Sequence, residues 1–201
     1  HGNVIFTMMD PTGDDVGRGD LVYPSHEVFR PGLFDLQCFT VTRCEKAICF
    51  DLKFRTVTNP FYAPEGYFHQ RMEVYIDTTP YSGSQLISIG GWEYSVPPKY
   101  GWEVRLSGAP FGETRGFVYA SENLRDISRG VSSHLLNDGQ TIRITVDDAL
   151  LPKPTKDWRY YVFVGSFDAA GVDGWRGIEK EAQPWLLGGE GAPVIDVLAP
   201  R

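Results

Sequence analysis

The sequence has 201 residues and a formal net charge of −7 at pH 7, with no Lys/Arg run. That balance argues against nucleic acid and anionic membrane surfaces as partners, because both are bound through basic patches. No apolar stretch approaches the roughly 20 residues that cross a bilayer as a helix.

Apolar residues make up 42% and aromatics 13%, with 22 Gly and 14 Pro. Such a chain can bury a sizeable core, and its many turn formers predict an all-β fold. The length fits a single domain over 1–201. The chain begins at His1, which fits a cleaved secretory signal, a domain cut from a longer chain or an expression scar.

NVIFTMM (3–9) predicts a short buried strand. FDLQCFTVTR (34–43) alternates with Leu36 out of step, and ICFDLKF (48–54) alternates cleanly. In the second run Ile48, Phe50, Leu52 and Phe54 share one face, so the pair predicts a hairpin around CEKA with one buried face. NPFYAPEGYF (59–68) reads as a loop, and RMEVYID (71–77) as a strand stopped by TTPYSGS.

WEYSV (92–96) and WEVRL (102–106) predict strands around the turn PPKYG. GFVYA (116–120), QTIRITV (140–146), RYYVFVGSF (159–167) and APVIDVLAP (192–200) predict the later strands. SSHLLND (132–138) and DDALL (147–151) each predict a turn or so of helix. Closely spaced strands without long helices predict an antiparallel β-sandwich of the jelly-roll or immunoglobulin-like kind.

Cys38, Cys44 and Cys49 are an odd set in one segment. Cys44 and Cys49 bracket a turn and would form a disulfide if they face each other across it. The competing reading is three small apolar fillers.

The loop DPTGDDVGRGDLVYP (10–24) gathers Asp10, Asp14, Asp15 and Asp20 among glycines. Calcium takes six to eight oxygens, which a carboxylate-bearing loop with inward carbonyls supplies. The loop is not an EF-hand, because position six is Asp15 instead of Gly and position twelve is Leu21 instead of Glu. A second acidic turn, SFDAAGVDGW, carries Asp168 and Asp173. Asp35, Glu65 and Asp77 are further candidate ligands. Asp and Gly also favour turns for purely local reasons, so a plain turn is the other reading of both segments.

Sugar-binding modules stack the apolar C–H face of a sugar on exposed aromatic rings. Tyr62, Tyr67, Tyr81, Trp175 and Trp185 are the candidates here, while Trp92 and Trp102 at strand starts read as core. Met8, Met9, His69 and Met72 offer haem-ligand chemistry, with core filling as the alternative for Met8 and Met72. No G-x-S-x-G, H-E-x-x-H or phosphate-loop motif occurs, and no carboxylate pair stands out as catalytic.

The segments DPTGDDVGRGDLVYP, FRPGLFDL, TNPFYAPEGYFHQRMEVYID, VFVGSFDAAGVDGWR and VIDVLAP, taken in order, resemble the C-terminal module of bacterial glucodextranases. That family belongs with the DOMON-like sandwiches, alongside family-nine carbohydrate-binding modules and haem-binding DOMON domains. The resemblance implies an extracellular or cell-surface module, calcium-containing and non-catalytic, whose partner is a polysaccharide or cell-surface glycan. It implies Asp10, Asp14 and Asp15 as calcium ligands, with Asp168 and Asp173 contributed by the late turn. Haem is not expected. A self-assembling extracellular structural protein, forming a homo-oligomer or polymer by strand exchange, is the alternative from another class; a haem-binding electron-transfer domain is a third.

Overall fold

A computed structural model describes residues 2–199; His1 lies outside the described residues. In chain order the strands are β1 (Asn3–Met9), β2 (Leu36–Cys44), β3 (Ala47–Phe54), β4 (Gln70–Asp77), β5 (Leu86–Ile89), β6 (Trp92–Ser95), β7 (Val104–Gly108) and β8 (Arg115–Ala120). There follow β9 (Asn123–Asp126), β10 (Val131–Leu135), β11 (Thr141–Asp147), β12 (Arg159–Val172), β13 (Ile178–Glu179), β14 (Leu187–Gly188) and β15 (Asp196–Leu198).

One sheet has the order β1-β2-β3-β11-β10 and the other β15-β12-β4-β7-β8-β9, with antiparallel neighbours throughout both. The two sheets face each other across a common apolar core, so the molecule is an all-β sandwich. Ile48, Phe50, Leu52 and Phe54 of β3 point into it, as their alternation predicts. Leu36 is out of step because the β2–β3 register shifts between Leu36 and Cys38, a bulge that returns Leu36 to the buried face.

β4 is buried along both faces. Met72, Val74 and Ile76 point into the core, and Tyr75 points outward into a second cluster with Ile87, Ile89, Trp102 and Trp175. The β5–β6 hairpin supplies that outer cover. Glu73, also outward, lies between Arg71 at 2.8 Å and Arg105 at 3.0 Å. Burial alone would raise its carboxyl; the two guanidiniums outweigh burial and hold it below the usual range.

Three expectations change and a fourth holds. The run 3–9 is an edge strand rather than a buried one, with Val4 63% and Met9 71% exposed. Residues 92–95 pair with β5, not with the segment after PPKYG, because β7 is drawn into the large sheet beside β4. SSHLLND opens as strand β10, since Val131 and Ser133 alternate into the core and override its short helical signal. DDALL does form one turn of 3-10 helix, Asp148–Leu150.

Candidate functional site

The loop after β1 is anchored on both sheets. The Asp10 N–H donates to Gln37 O at 3.0 Å, and the Gly17 N–H donates to Ile195 O at 2.8 Å, just before β15. Gly17 has φ +59 and lies so close to Leu21 and Val194 that a side chain would collide there. This path brings Asp10 and Asp14 to Asp196, at the start of β15; one carboxylate oxygen of each lies within 4.8 Å of the others.

Asp10 Oδ2 and Asp14 Oδ1 are buried with no hydrogen-bond partner. Asp196 is 3% exposed and accepts the Leu36 N–H at 2.9 Å. Burial raises the Asp10 carboxyl, and the neighbouring Asp14 charge raises it further. Burial also raises Asp196, against the Leu36 N–H, with Asp10 and Asp14 adding to the rise. Three converging carboxylates with orphaned oxygens and mutually repelling charge form a donor set of the kind a hard cation neutralises. The chemistry therefore fits calcium.

The remaining predicted ligands are not among the three converging carboxylates, although Asp15 and Asp35 lie near enough to add their charge. Asp15 turns away to accept the Tyr23 hydroxyl. Asp35 accepts the Gly13 N–H through both oxygens, at 3.1 and 3.0 Å, and so shapes the loop from beneath. β12 continues as a strand through Val172 and carries the late turn past the sheet instead of back toward β1. Asp168 therefore sits by Arg176, with its Oδ2 3.6 Å from the guanidinium. Asp173 adopts φ +53 and offers its carbonyl to Arg71. Neither joins Asp10 and Asp14. Asp196 was missed; its signal was one carboxylate inside the apolar run VIDVL.

The five predicted sugar platforms do not form one surface. Tyr67 and Trp175 are buried at 0% and 1% exposure and present no open ring face. The Tyr67 hydroxyl bonds Ser133 at 2.7 Å, and the Trp175 ring fills the space over Gly165. Tyr81 is exposed on the loop after β4. Tyr62, 90% exposed, follows Phe61, and Trp185 is open at 38%. Trp92, read as core, is instead 48% exposed, while Trp102 is buried as expected.

Trp185 and Phe61 belong to a groove of about 520 Å³ whose other aromatic walls are Phe68, Phe111 and Phe167. Phe61 and Phe111 are 46% and 43% exposed, so three ring faces meet solvent there. Trp185 is fixed from behind, stacked on His26 with centroids 4.3 Å apart. Arg176 and Asp168 form the polar wall. Arg176 ties the loops together, donating to Ser166 Oγ and to Trp185 O, each at 2.9 Å. Tyr and Trp drew attention in the sequence; the phenylalanines did not, because an exposed Phe is indistinguishable from a core one until the fold is known.

A two-sheet sandwich bearing an open aromatic groove has the architecture of a binding module. The chain belongs to the family of C-terminal, SLH-like binding modules of glucodextranase, which it matches over residues 5–201. No curated protein matches it. No helix among the described residues is long and apolar enough to cross a membrane.

Proposed function

We propose that the chain is a non-catalytic module that holds a polysaccharide or cell-surface glycan in the groove between Phe61, Phe111 and Trp185, outside the cell. The observation that carries this reading is the coincidence of three open ring faces with the Arg176–Asp168 pair. Rings take the apolar faces of successive sugars, and the Asp168 carboxylate, held beside the buried Arg176, accepts from a sugar hydroxyl. The cleft beside Trp92 offers a single exposed tryptophan and a weaker stacking surface. The family's description as a binding module supports the reading, and its SLH-like character supports an extracellular or cell-surface placement.

A calcium ion between Asp10, Asp14 and Asp196 completes the proposal. Asp10 extends from the edge strand of one sheet and Asp196 opens the edge strand of the other. An ion there ties the sandwich edges together and leaves the groove to the glycan.

The test is co-sedimentation with insoluble glucans and cell-wall polymers, comparing wild type with Trp185→Ala. Retention of the wild type and loss in the variant are expected. Equal retention of both, or none of either on any polymer, defeats the groove as a glycan site.

A further inference from the structure

A second pair of carboxylates lies outside both sites. Asp77 closes β4 on its outward face, and Glu103 stands opposite it just before β7: Ile76 pairs with Val104, and the Glu103 N–H donates to Ile76 O at 2.9 Å. Cross-strand neighbours project to the same side. Both are buried, Asp77 at 2% and Glu103 at 8% exposure. Neither oxygen of Asp77 has a partner in full hydrogen-bond geometry, the Thr79 N–H making only a weak approach, and Glu103 Oε1 has none. Glu103 Oε2 is held by Thr78, whose N–H and hydroxyl donate at 2.7 and 3.2 Å.

Buried acceptors are nearly always satisfied, so three oxygens without a full partner on two adjacent acids require an explanation. Arg159 is the neighbour of Asp77 on β12, but its guanidinium lies 5.1 Å over the Tyr100 ring and makes no ion pair with Asp77 among the described residues. The loop 78–84 folds over the pair. Gly83 in that loop has φ +83, and a Cβ there would stand 3.0 Å from Glu103 Oε1. The same Cβ would collide first with the Trp102 carbonyl, so the glycine lets the loop backbone pack directly on the segment that carries Glu103. Burial, and then the Glu103 charge, push the Asp77 carboxyl up to about 6.

We propose that Asp77 and Glu103 bind a divalent cation of the calcium class beneath the 78–84 loop. The donors are all oxygen, which selects hard cations over zinc or copper. Two carboxylates neutralise the ion, with backbone carbonyls and water as its remaining ligands. The site is separate from Asp10–Asp14–Asp196. On β12, Asp77 pairs with Arg159 and Asp196 with Val164, five residues further along. That spacing is about 17 Å along the strand. The ion would order the loop that presents Tyr81, which is 73% exposed.

The experiment counts calcium ions per chain by native mass spectrometry and measures affinity by calorimetry. Loss of one ion, or at least a tenfold weaker site, is expected in Asp77→Asn and in Glu103→Gln, while Asp10→Asn keeps that ion. A calcium count and affinity unchanged in folded Asp77→Asn and Glu103→Gln overturn the proposal. If the first site were empty, the wild type would hold one ion that Asp10→Asn retains, so the two failures are distinguishable. A readout that leaves Asp77 and Glu103 intact is terbium luminescence excited through Trp102 in Asp10→Asn protein. Sensitised emission displaced by calcium is expected; a folded protein giving none overturns the site.

Discussion

Glu65 holds Phe111 in the groove. Its carboxylate accepts the Phe111 N–H at 2.8 Å and the Gly112 N–H at 3.0 Å. Phe111 and Gly112 both have positive φ, +58 and +74, so their N–H groups converge into a small anion nest. A phenylalanine rarely adopts that conformation, and the paired hydrogen bonds compensate for its strain. The same two bonds aim one of the three exposed rings. Glu65, considered as a metal ligand, is instead a positioning residue.

Glu65→Ala should therefore weaken polysaccharide retention about fivefold, corresponding to roughly 1 kcal/mol for a hydrogen-bonded anchor. The melting temperature should move little, because residues 111–113 of this turn are exposed. Affinity electrophoresis in soluble glucan, run beside a thermal melt, checks both. Unchanged mobility with an intact fold would show that Phe111 does not contact the glycan.

Calcium removal tests the bridge between the sheets. An ion bound only by the folded state at a hundredfold excess over its Kd contributes about 2.7 kcal/mol. For a chain of this size that corresponds to a fall of about 5–10 °C on chelation. Asp196→Asn should remove the share of that response due to this ion and leave only the share of the Asp77–Glu103 site, whereas Asp168→Asn should leave it intact. Differential scanning calorimetry with and without chelator gives the answer; a full response in Asp196→Asn would remove Asp196 from the ligand set.

How much of this the sequence carried depends on the range of the interaction. Clean period-two alternation made β3 and β11 legible, because each has one face in the core and its pattern is local. The β5–β6 hairpin was invisible as a pair, since LISI and WEYS are too short to declare their partners. The acidic loop was legible as a cluster. Its third member was not: Asp196 lies far along the chain and reaches Asp10 only through the antiparallel closure of both sheets. Asp168 and Asp173 looked equivalent to it by composition, yet the length of β12 sends them elsewhere. The groove was hardest to see, because exposure of Phe61 and Phe111 depends on positive-φ turns that no local apolar pattern announces.

The Cys44 and Cys49 sulfurs meet as a disulfide across the β2–β3 turn, with Cα atoms 6.3 Å apart, and Cys38 is free. Denatured, unreduced protein should therefore show one alkylatable thiol, rising to three after reduction. Loop-entropy arguments give a bridge this short about 2 kcal/mol of stability. Urea unfolding of Cys44→Ala/Cys49→Ala should show that loss; an unreduced wild type that takes up three labels would exclude the bridge.

His69 sets an acid limit on stability. It is 0% exposed, and neither ring nitrogen makes a hydrogen bond of full geometry, the Val28 backbone offering only a weak one. Phe29, Phe34 and Phe68 surround it edge-on. Burial, with the nearby Arg176 charge adding to it, lowers its pKa from 6.5 to about 3. The unfolded chain thus binds a proton below pH 6.5 that the folded chain refuses until about pH 3. The neutral ring's contribution is complete above pH 6.5 and declines by about 1.4 kcal/mol per pH unit below it. Roughly 2 kcal/mol should be lost between pH 6.5 and 5 on this account alone. His69→Phe matches the apolar surroundings and leaves no polar atom unpaired, so it should remove this slope without destabilising the protein at neutral pH. Urea unfolding of both proteins at pH 7, 6 and 5 isolates the effect as their difference, which the raised carboxylates share and therefore cancel. Parallel pH profiles would show that His69 already carries its proton in the folded state.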